Sequence, residues 1–156
     1  MIEKRKTDYQ LMINQLKSLS EISPNYIPLL SNASAVIFEN MEDLNWAGFY
    51  LVDDKDELLL GPFQGKSACV IIPKGKGVCG TAFVEDAVQR VDDVHQFKGH
   101  IACDSASNSE IVIPIHYKGK VTAVLDIDSP LFARFSEADE EGLKDLVKAL
   151  EELIKW

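Results

Sequence analysis

Five short runs of β-forming residues occupy the middle of the chain, and helical patterns occupy its two ends. The runs are 46–52, 57–63, 69–73, 110–115 and 121–127. Turn signals separate several of them, so consecutive strands are expected to pair as antiparallel hairpins. The sequence therefore predicts an α+β protein in which terminal helices cover a central antiparallel sheet.

Apolar residues recur at helical spacing in both terminal regions. One such face begins at Tyr9, and a second runs from 26 to 41. The last helix is predicted to begin after Ser136 as its N-cap, with acidic residues in its first turn. Glycines interrupt the segment 75–87, where we expect a loop entering a helical turn.

A single domain over residues 1–156 is expected, because the chain has a common domain length and no linker-like segment. Sixteen Lys and Arg residues against 25 Asp and Glu residues give a net charge of -9. That charge disfavours binding to nucleic acid or to an anionic membrane surface. No run of residues is apolar for long enough to span a membrane, and the N-terminus leads into no apolar signal segment, so a cytoplasmic location is expected.

The three cysteines differ in their surroundings. Cys69 heads an apolar run and is predicted to be a half-buried strand residue. Cys79 lies among glycines, where its small size near a tight backbone is a sufficient reason for a cysteine. Cys103 lies in "HIACDSASNSE", among hydrogen-bonding groups that would be wasted in a core. Cys103 is therefore the best candidate for a reactive nucleophile.

Zinc binding and acyl transfer are the competing interpretations of these thiols. Three cysteines with His95 and His100 have the right chemistry for a tetrahedral zinc site. Nine residues separate the first two cysteines and 23 separate the next two, unlike the closely spaced ligand pairs of structural zinc sites. No metal is therefore predicted. A cysteine hydrolase using Cys103 and a histidine has no local support.

Acidic residues give the second chemical signal. Strand alternation places Asp126 and Asp128 on one face. A three-residue hairpin loop would pair Glu110 with Asp128, whereas a two-residue loop would send Glu110 to the opposite face. If the three acids converge, they form an anionic pocket that suits a ligand ammonium group and contains at least one raised pKa. Trp46 begins an apolar strand and fits either core packing or the aromatic wall of a pocket.

The motifs "WAGFYL", "GKGVCGTA", "GHIACDSASNSEIV" and "LDIDSP" together closely resemble the free methionine-(R)-sulfoxide reductases. That family is built on a single GAF domain, and the likeness spans most of the chain. The resemblance implies a GAF-like central antiparallel sheet with the N- and C-terminal helices packed on one side.

The resemblance also implies roles for individual residues. Cys103 matches the catalytic nucleophile, Cys69 matches the principal resolving cysteine, and Cys79 matches a third cysteine whose part in recycling is open. Four residues match the family's substrate-binding positions: Trp46, Glu110, Asp126 and Asp128.

The implied activity is thiol-dependent reduction of free L-methionine-(R)-sulfoxide to methionine. It passes through a sulfenic acid and then a disulfide, which thioredoxin reduces. The resemblance implies no bound cofactor and is compatible with a homodimer. A GAF module that senses a small molecule, with incidental cysteines, is the alternative function.

Overall fold

The computed structural model of the protein describes residues 6–101 and 103–156. Within them, the strands are β1 Trp46–Val52, β2 Leu58–Gly65, β3 Ile71–Ile72, β4 Gln89–Val91, β5 Ser109–Tyr117 and β6 Lys120–Ser129. The helices are α1 Tyr9–Ile22, α2 Tyr26–Asn40, α3 Gly77–Glu85 and α4 Glu137–Leu153, with a 3-10 turn at Val94–Gln96. The predicted domain also includes residues 1–5 and 102, which lie outside the described residues.

The strands form one antiparallel sheet in the order β3-β2-β1-β6-β5-β4. Helices α1, α2 and α4 pack on one face of this sheet and enclose the main apolar core. Alternate residues of the central strands face this core, including Phe49, Ile111, Ile113, Leu125 and Ile127. The predicted sheet with the terminal helices on one side is confirmed. None of the helices in the described part of the chain is both long and apolar enough for a membrane span.

The last helix begins as its sequence predicts. The Ser136 hydroxyl accepts a hydrogen bond from the Asp139 backbone N–H, and the Asp139 carboxylate accepts one from the Ser136 backbone N–H. This capping box satisfies two N–H groups that the first helical turn would otherwise leave without partners.

Helix α3 lies on the opposite face of the sheet and corrects the prediction for the segment 75–87. The sequence predicts a loop entering a helical turn, whereas the structure has a nine-residue helix. A side chain at Gly80 would come within 3.0 Å of the Pro73 carbonyl oxygen. Gly80 therefore lets the first helical turn pack on the preceding loop and does not interrupt the helix. A second, smaller core lies between α3 and the sheet.

The hairpin between β5 and β6 has a two-residue turn. Tyr117 pairs with Lys120 across it. Lys118 and Gly119 between them have φ values of 51° and 76°, and the commonest two-residue hairpin turn needs positive φ at both positions. By itself, such a turn would place Glu110 on the face opposite Asp128.

A β-bulge reverses that outcome. The register shifts by one between the pairs at Ile115 and His116, which leaves Thr122 of β6 as the extra residue. Beyond the bulge, Glu110 pairs directly with Asp128. The sequence-based choice between two loop lengths was therefore incomplete, because a short loop followed by a bulge gives the register of the longer loop.

Strand β4 was not predicted from the sequence. It has three residues and pairs antiparallel with β5, so that Val91 lies opposite Glu110. So short a strand carries too little alternation to be recognised in the sequence. Its pairing nevertheless encloses Glu110 within the sheet.

Leu125→Ala is expected to lower the free energy of unfolding by about 2–5 kcal/mol, because it leaves a cavity in the main core. Leu125 is fully buried among the terminal helices. Urea denaturation measures the change, and Leu11→Ala is the control because Leu11 is 39% exposed. Equal effects of the two substitutions would contradict the assignment of Leu125 to the main core.

Candidate active site

A small cavity of about 40 Å³ lies between α3 and the end of the sheet where β5 begins and β6 ends. Its lining includes residues that the sequence predicts for the site: Trp46, Cys79, Cys103, Glu110, Asp126 and Asp128. The sheet contributes Trp46 and the acids, α3 contributes Cys79, and the segment before β5 contributes Cys103. Six of the seven predicted site residues thus line one cavity, and the seventh, Cys69, is outside this lining but is bonded to Cys103.

Cys69 and Cys103 form a disulfide whose Cα atoms are 5.5 Å apart. Cys69 lies just before β3, and Cys103 lies between the 3-10 turn and β5. Both residues are half-buried. The predicted half-burial of Cys69 is confirmed, but its place in a strand is wrong, because the run 69–73 forms a strand only at Ile71–Ile72. The pairing shows that the two thiols can meet without rearrangement of the sheet.

The three acids converge as the resemblance requires. Glu110, Asp126 and Asp128 are only 6%, 6% and 9% exposed. Burial raises the pKa of all three, and the charge of Asp126 further raises the pKa of Glu110 and of Asp128. The convergence that the sequence left open therefore occurs, and a raised pKa accompanies it, as expected for that case. Such a cluster retains a proton at a pH where exposed carboxyl groups are ionised.

Glu110 and Cys79 hydrogen-bond to the Asp126 carboxylate, but one of its oxygens has unused hydrogen-bonding capacity. Its Oδ1 atom is buried without a hydrogen-bond partner among the described residues. Buried carboxylate oxygens are rarely left without a partner, because their desolvation is costly. The atom is therefore available to a donor group on a ligand in the cavity.

Cys79 is a poor candidate for a reactive thiol. It is 4% exposed and is the one cysteine of the described residues outside the disulfide. Its sulfur and carboxylate oxygens of Glu110 and Asp126 all lie within 4.8 Å of one another. Burial and then the charge of Asp126 raise the pKa of the Cys79 thiol. These effects outweigh the helix N-terminus, which by itself would favour the thiolate.

Metal binding has little support from this geometry. A site built from all three cysteines conflicts with the Cys69–Cys103 disulfide, because disulfide sulfurs do not act as thiolate ligands. Among the described residues, Cys79, Glu110 and Asp126 are the set close enough to share an ion. A cation would require these groups to lose their protons, yet the pKa of each is raised. The set is better suited to holding protons.

Trp46 lies in the core and at the same time lines the cavity. Its indole Nε1 donates a hydrogen bond to the Lys66 carbonyl oxygen at 3.1 Å. The ring stacks on Phe63 and Tyr50 at centroid distances of 5.3 and 5.9 Å. A Cβ atom at Gly48 would lie 2.8 Å from the Trp46 Cη2 atom. The absence of a side chain at Gly48 therefore allows the indole to lie across β1.

Tyr50 is a site residue that the sequence reasoning missed. Its hydroxyl donates a hydrogen bond to the Cys69 carbonyl oxygen at 2.9 Å, and its ring lines the cavity. Burial and then Asp126 raise the pKa of Tyr50, which keeps the hydroxyl protonated as a donor. Residues two apart along a strand share a face, so the alternation from Trp46 through Gly48 was the available signal.

The N-terminus of α3 gives the cavity a region that favours negative charge. Lys76 is the N-cap but makes no side-chain capping hydrogen bond, and Lys76, Gly77 and Val78 line the cavity. Free backbone N–H groups at a helix N-terminus attract anions, and the Lys76 ammonium adds to this effect. The cavity therefore has an acidic floor and a region that favours an anion, which together suit a small zwitterion.

Glu110→Gln is expected to flatten the dependence of stability on pH. Because the pKa of Glu110 is raised in the folded protein, the unfolded chain releases this proton at a lower pH. The free energy of unfolding should therefore fall as the pH rises above about 4.5 through the raised pKa values, and less steeply in the variant. Urea titrations over this range test the slope. Exposed Glu39→Gln is the charge-matched control, and identical slopes for Glu110→Gln and the wild type would contradict the expectation.

Comparisons with known proteins agree with this site. A family model described as a GAF domain matches residues 30–155. The free methionine-R-sulfoxide reductase of Escherichia coli (strain K12) is 52% identical over 150 residues, which cover 96% of this chain and 90% of the relative. The reduced fRMsr of Staphylococcus aureus superposes with a TM-score of 0.93 at 51% identity, over 99% of this chain and 100% of that one. Its complex with substrate gives 0.91 and 50% over the same shares. The chain belongs to the free methionine-R-sulfoxide reductase family of GAF-domain proteins.

Proposed function

We propose that the protein is an oxidoreductase that reduces free L-methionine-(R)-sulfoxide to methionine, with Cys103 as the nucleophile. The observation that carries this proposal is the cavity itself, where Cys103, disulfide-bonded to Cys69, lies with three buried acids of raised pKa. A relative named free methionine-R-sulfoxide reductase and a substrate complex of a second relative support it.

The reaction begins when the Cys103 thiolate attacks the sulfoxide sulfur. The oxygen passes to the cysteine sulfur, so that methionine leaves reduced and Cys103 becomes a sulfenic acid. The Cys69 thiol then attacks this sulfenic acid, a disulfide forms, and water departs. The observed Cys69–Cys103 disulfide is the expected product of that step.

The acid cluster serves the chemical step as a proton donor. A sulfoxide oxygen accepts a proton as its bond to sulfur weakens, and a carboxylic acid with a raised pKa still carries one near neutral pH. Glu110 and Asp128 have raised pKa values for two reasons, burial and the neighbouring Asp126 charge. We assign the proton transfer to this cluster as a unit, because its members share their protons.

The same cavity accounts for the choice of a free amino acid. The α-ammonium of the substrate pairs with Asp126, whose charge raises the pKa of Glu110 and Asp128 and whose Oδ1 lacks a protein partner among the described residues. The α-carboxylate lies towards Lys76 and the N–H groups of α3. A methionine residue inside a polypeptide has neither charge. The Trp46 face provides an apolar wall for the methyl group.

Turnover requires an external dithiol to reduce the disulfide. We propose thioredoxin in the cytoplasm, where dithiol reductants keep protein thiols reduced. No bound cofactor takes part in this scheme, and a homodimer remains a prediction. A small-molecule sensor would leave the disulfide and the buried acids without a role.

An equal mixture of the (R) and (S) sulfur epimers of free L-methionine sulfoxide, supplied with thioredoxin, thioredoxin reductase and NADPH, tests the proposed function. NADPH oxidation should stop when about half of the sulfoxide is consumed, because only one stereoisomer at sulfur has the fitting geometry. Cys103→Ser should abolish reduction even in a single turnover, whereas Cys69→Ser should complete one turnover and recycle poorly. No NADPH consumption by the wild type, or a single turnover by Cys103→Ser, would refute the proposal.

Cys79→Ser is expected to recycle normally with thioredoxin. The Cys79 thiol is buried and its pKa is raised, so it is neither accessible to a protein reductant nor ready to attack the disulfide. The steady-state rate depends on reduction of the disulfide, whereas the single-turnover rate does not. Their ratio therefore measures recycling separately from sulfoxide reduction. A ratio that falls in Cys79→Ser as far as in Cys69→Ser would restore the recycling role that the family resemblance leaves open.

A further inference from the structure

Asn45 links the segment that carries Cys103 to the strands that carry the acids. Its side-chain Nδ2 donates hydrogen bonds to Asp104 Oδ2 and to Ser107 Oγ, each at 3.0 Å. Its backbone N–H donates to the Asp128 carbonyl oxygen at 3.0 Å. One residue therefore contacts the neighbour of the proposed nucleophile and the backbone of an acid in the cluster.

The Asp104 carboxylate is held at both oxygens. Oδ1 accepts a hydrogen bond from the Ala106 N–H at 2.9 Å, and Oδ2 accepts the bond from Asn45. These hydrogen bonds lower the pKa of Asp104, the Ala106 bond having the larger effect. Asp104 is therefore an anion held in place directly after Cys103.

A second anchor fixes the other end of the segment without Asn45. The Asn108 backbone N–H donates to the Ser129 carbonyl oxygen at 2.8 Å, and its side-chain amide donates to the Pro130 carbonyl oxygen at 2.7 Å. These bonds hold the segment against the end of β6. The Cys103 end is held by the disulfide to Cys69, and once that bond is reduced, the contact between Asn45 and Asp104 remains as its side-chain anchor.

The Asn45 amide nitrogen donates two hydrogen bonds, whereas its oxygen accepts none from the described residues. Its Oδ1 atom is buried and has no hydrogen-bond partner among the described residues. A rotated amide would point oxygen at the Asp104 carboxylate, so the donor must face Asp104. The position thus retains two donor contacts at the expense of an unsatisfied acceptor, which points to a requirement for the donor contacts.

We propose that Asn45 is a positioning residue for Cys103. By fixing Asp104 and Ser107 while its backbone is bonded to Asp128, Asn45 sets the distance between the nucleophile and the proton-donating acids. The proposal rests on the proposed function for its kinetic consequences. Loss of the Asn45 side-chain donor should slow the chemical step while leaving substrate binding by the acids and Trp46 in place, so kcat falls more than KM rises.

An exchange of side chains provides the test. Asn45→Asp is isosteric but sets two carboxylates against each other, and it should slow single-turnover reduction about tenfold or more, equivalent to one lost charge-assisted hydrogen bond. The double variant Asn45→Asp/Asp104→Asn restores a donor–acceptor pair with its members exchanged and keeps the wild-type net charge. It should recover most of the rate.

The Asp104→Asn variant separates positioning from charge. It removes a negative charge beside Cys103, so the thiolate should form at a lower pH. It also weakens the contact with Asn45, so reduction should slow even though the thiolate is more abundant. A faster reduction would mean that charge alone acts and would overturn the proposal. If Asn45→Asp does not fold, the Asp104→Asn variant still distinguishes positioning from the effect of charge.

Alkylation of Cys103 by iodoacetamide gives a readout that needs no sulfoxide chemistry. In the pre-reduced Cys69→Ala/Cys79→Ala background, Asn45→Asp should move the pH profile of alkylation upward, and the exchange variant should restore it. If the exchange variant recovers the melting temperature but neither the pH profile of alkylation nor the reduction rate, Asn45 has a purely structural role. If the wild type reduces no sulfoxide, the proposed function fails, while the alkylation profiles still decide the role of Asn45.

Discussion

The direct pairing of Glu110 with Asp128 is the contact on which the site depends. A tight two-residue turn joins their strands, and the bulge at Thr122 then shifts the register by one. Without that shift, the β5 side chains beyond the bulge, residues 109–115, would exchange faces relative to β6. Isoleucines of the main core would face α3, and Glu110 would enter the apolar layer under the terminal helices. The free energy of the large core thus maintains the register that assembles the small cavity.

The cavity combines two opposite electrostatic effects that bulk water would normally screen. Burial makes protons hard to remove from the acids and from Cys79, whereas the N-terminus of α3 and Lys76 favour negative charge a short distance away. Both effects are strong because the cavity is enclosed by the sheet and by α3. Such a cavity suits a reactant with charges of both signs and offers it groups that still hold a proton.

Much of this architecture follows from the sequence alone. The strand Trp46–Val52 and the Ser136 cap have local signals, and alternation puts Asp126 and Asp128 on one face. The bulge has no such signal, because it reflects competition between turn geometry and burial on both faces of the sheet. Asn45 also has no local sequence signal, because its partner Asp104 is 59 residues away in sequence. The disulfide pairing came from family resemblance, since spacing does not determine which thiols meet.

The burial of Cys79 affects which disulfide forms when Cys103 is oxidised. Three thiols in one chain allow three intramolecular pairings, and a sulfenic acid at Cys103 would react with whichever thiolate reached it first. Protonated and enclosed by Glu110 and Asp126, the Cys79 thiol competes poorly for that intermediate. In the proposed reaction, the same acids would therefore direct each oxidation into the disulfide between Cys69 and Cys103 and away from Cys79.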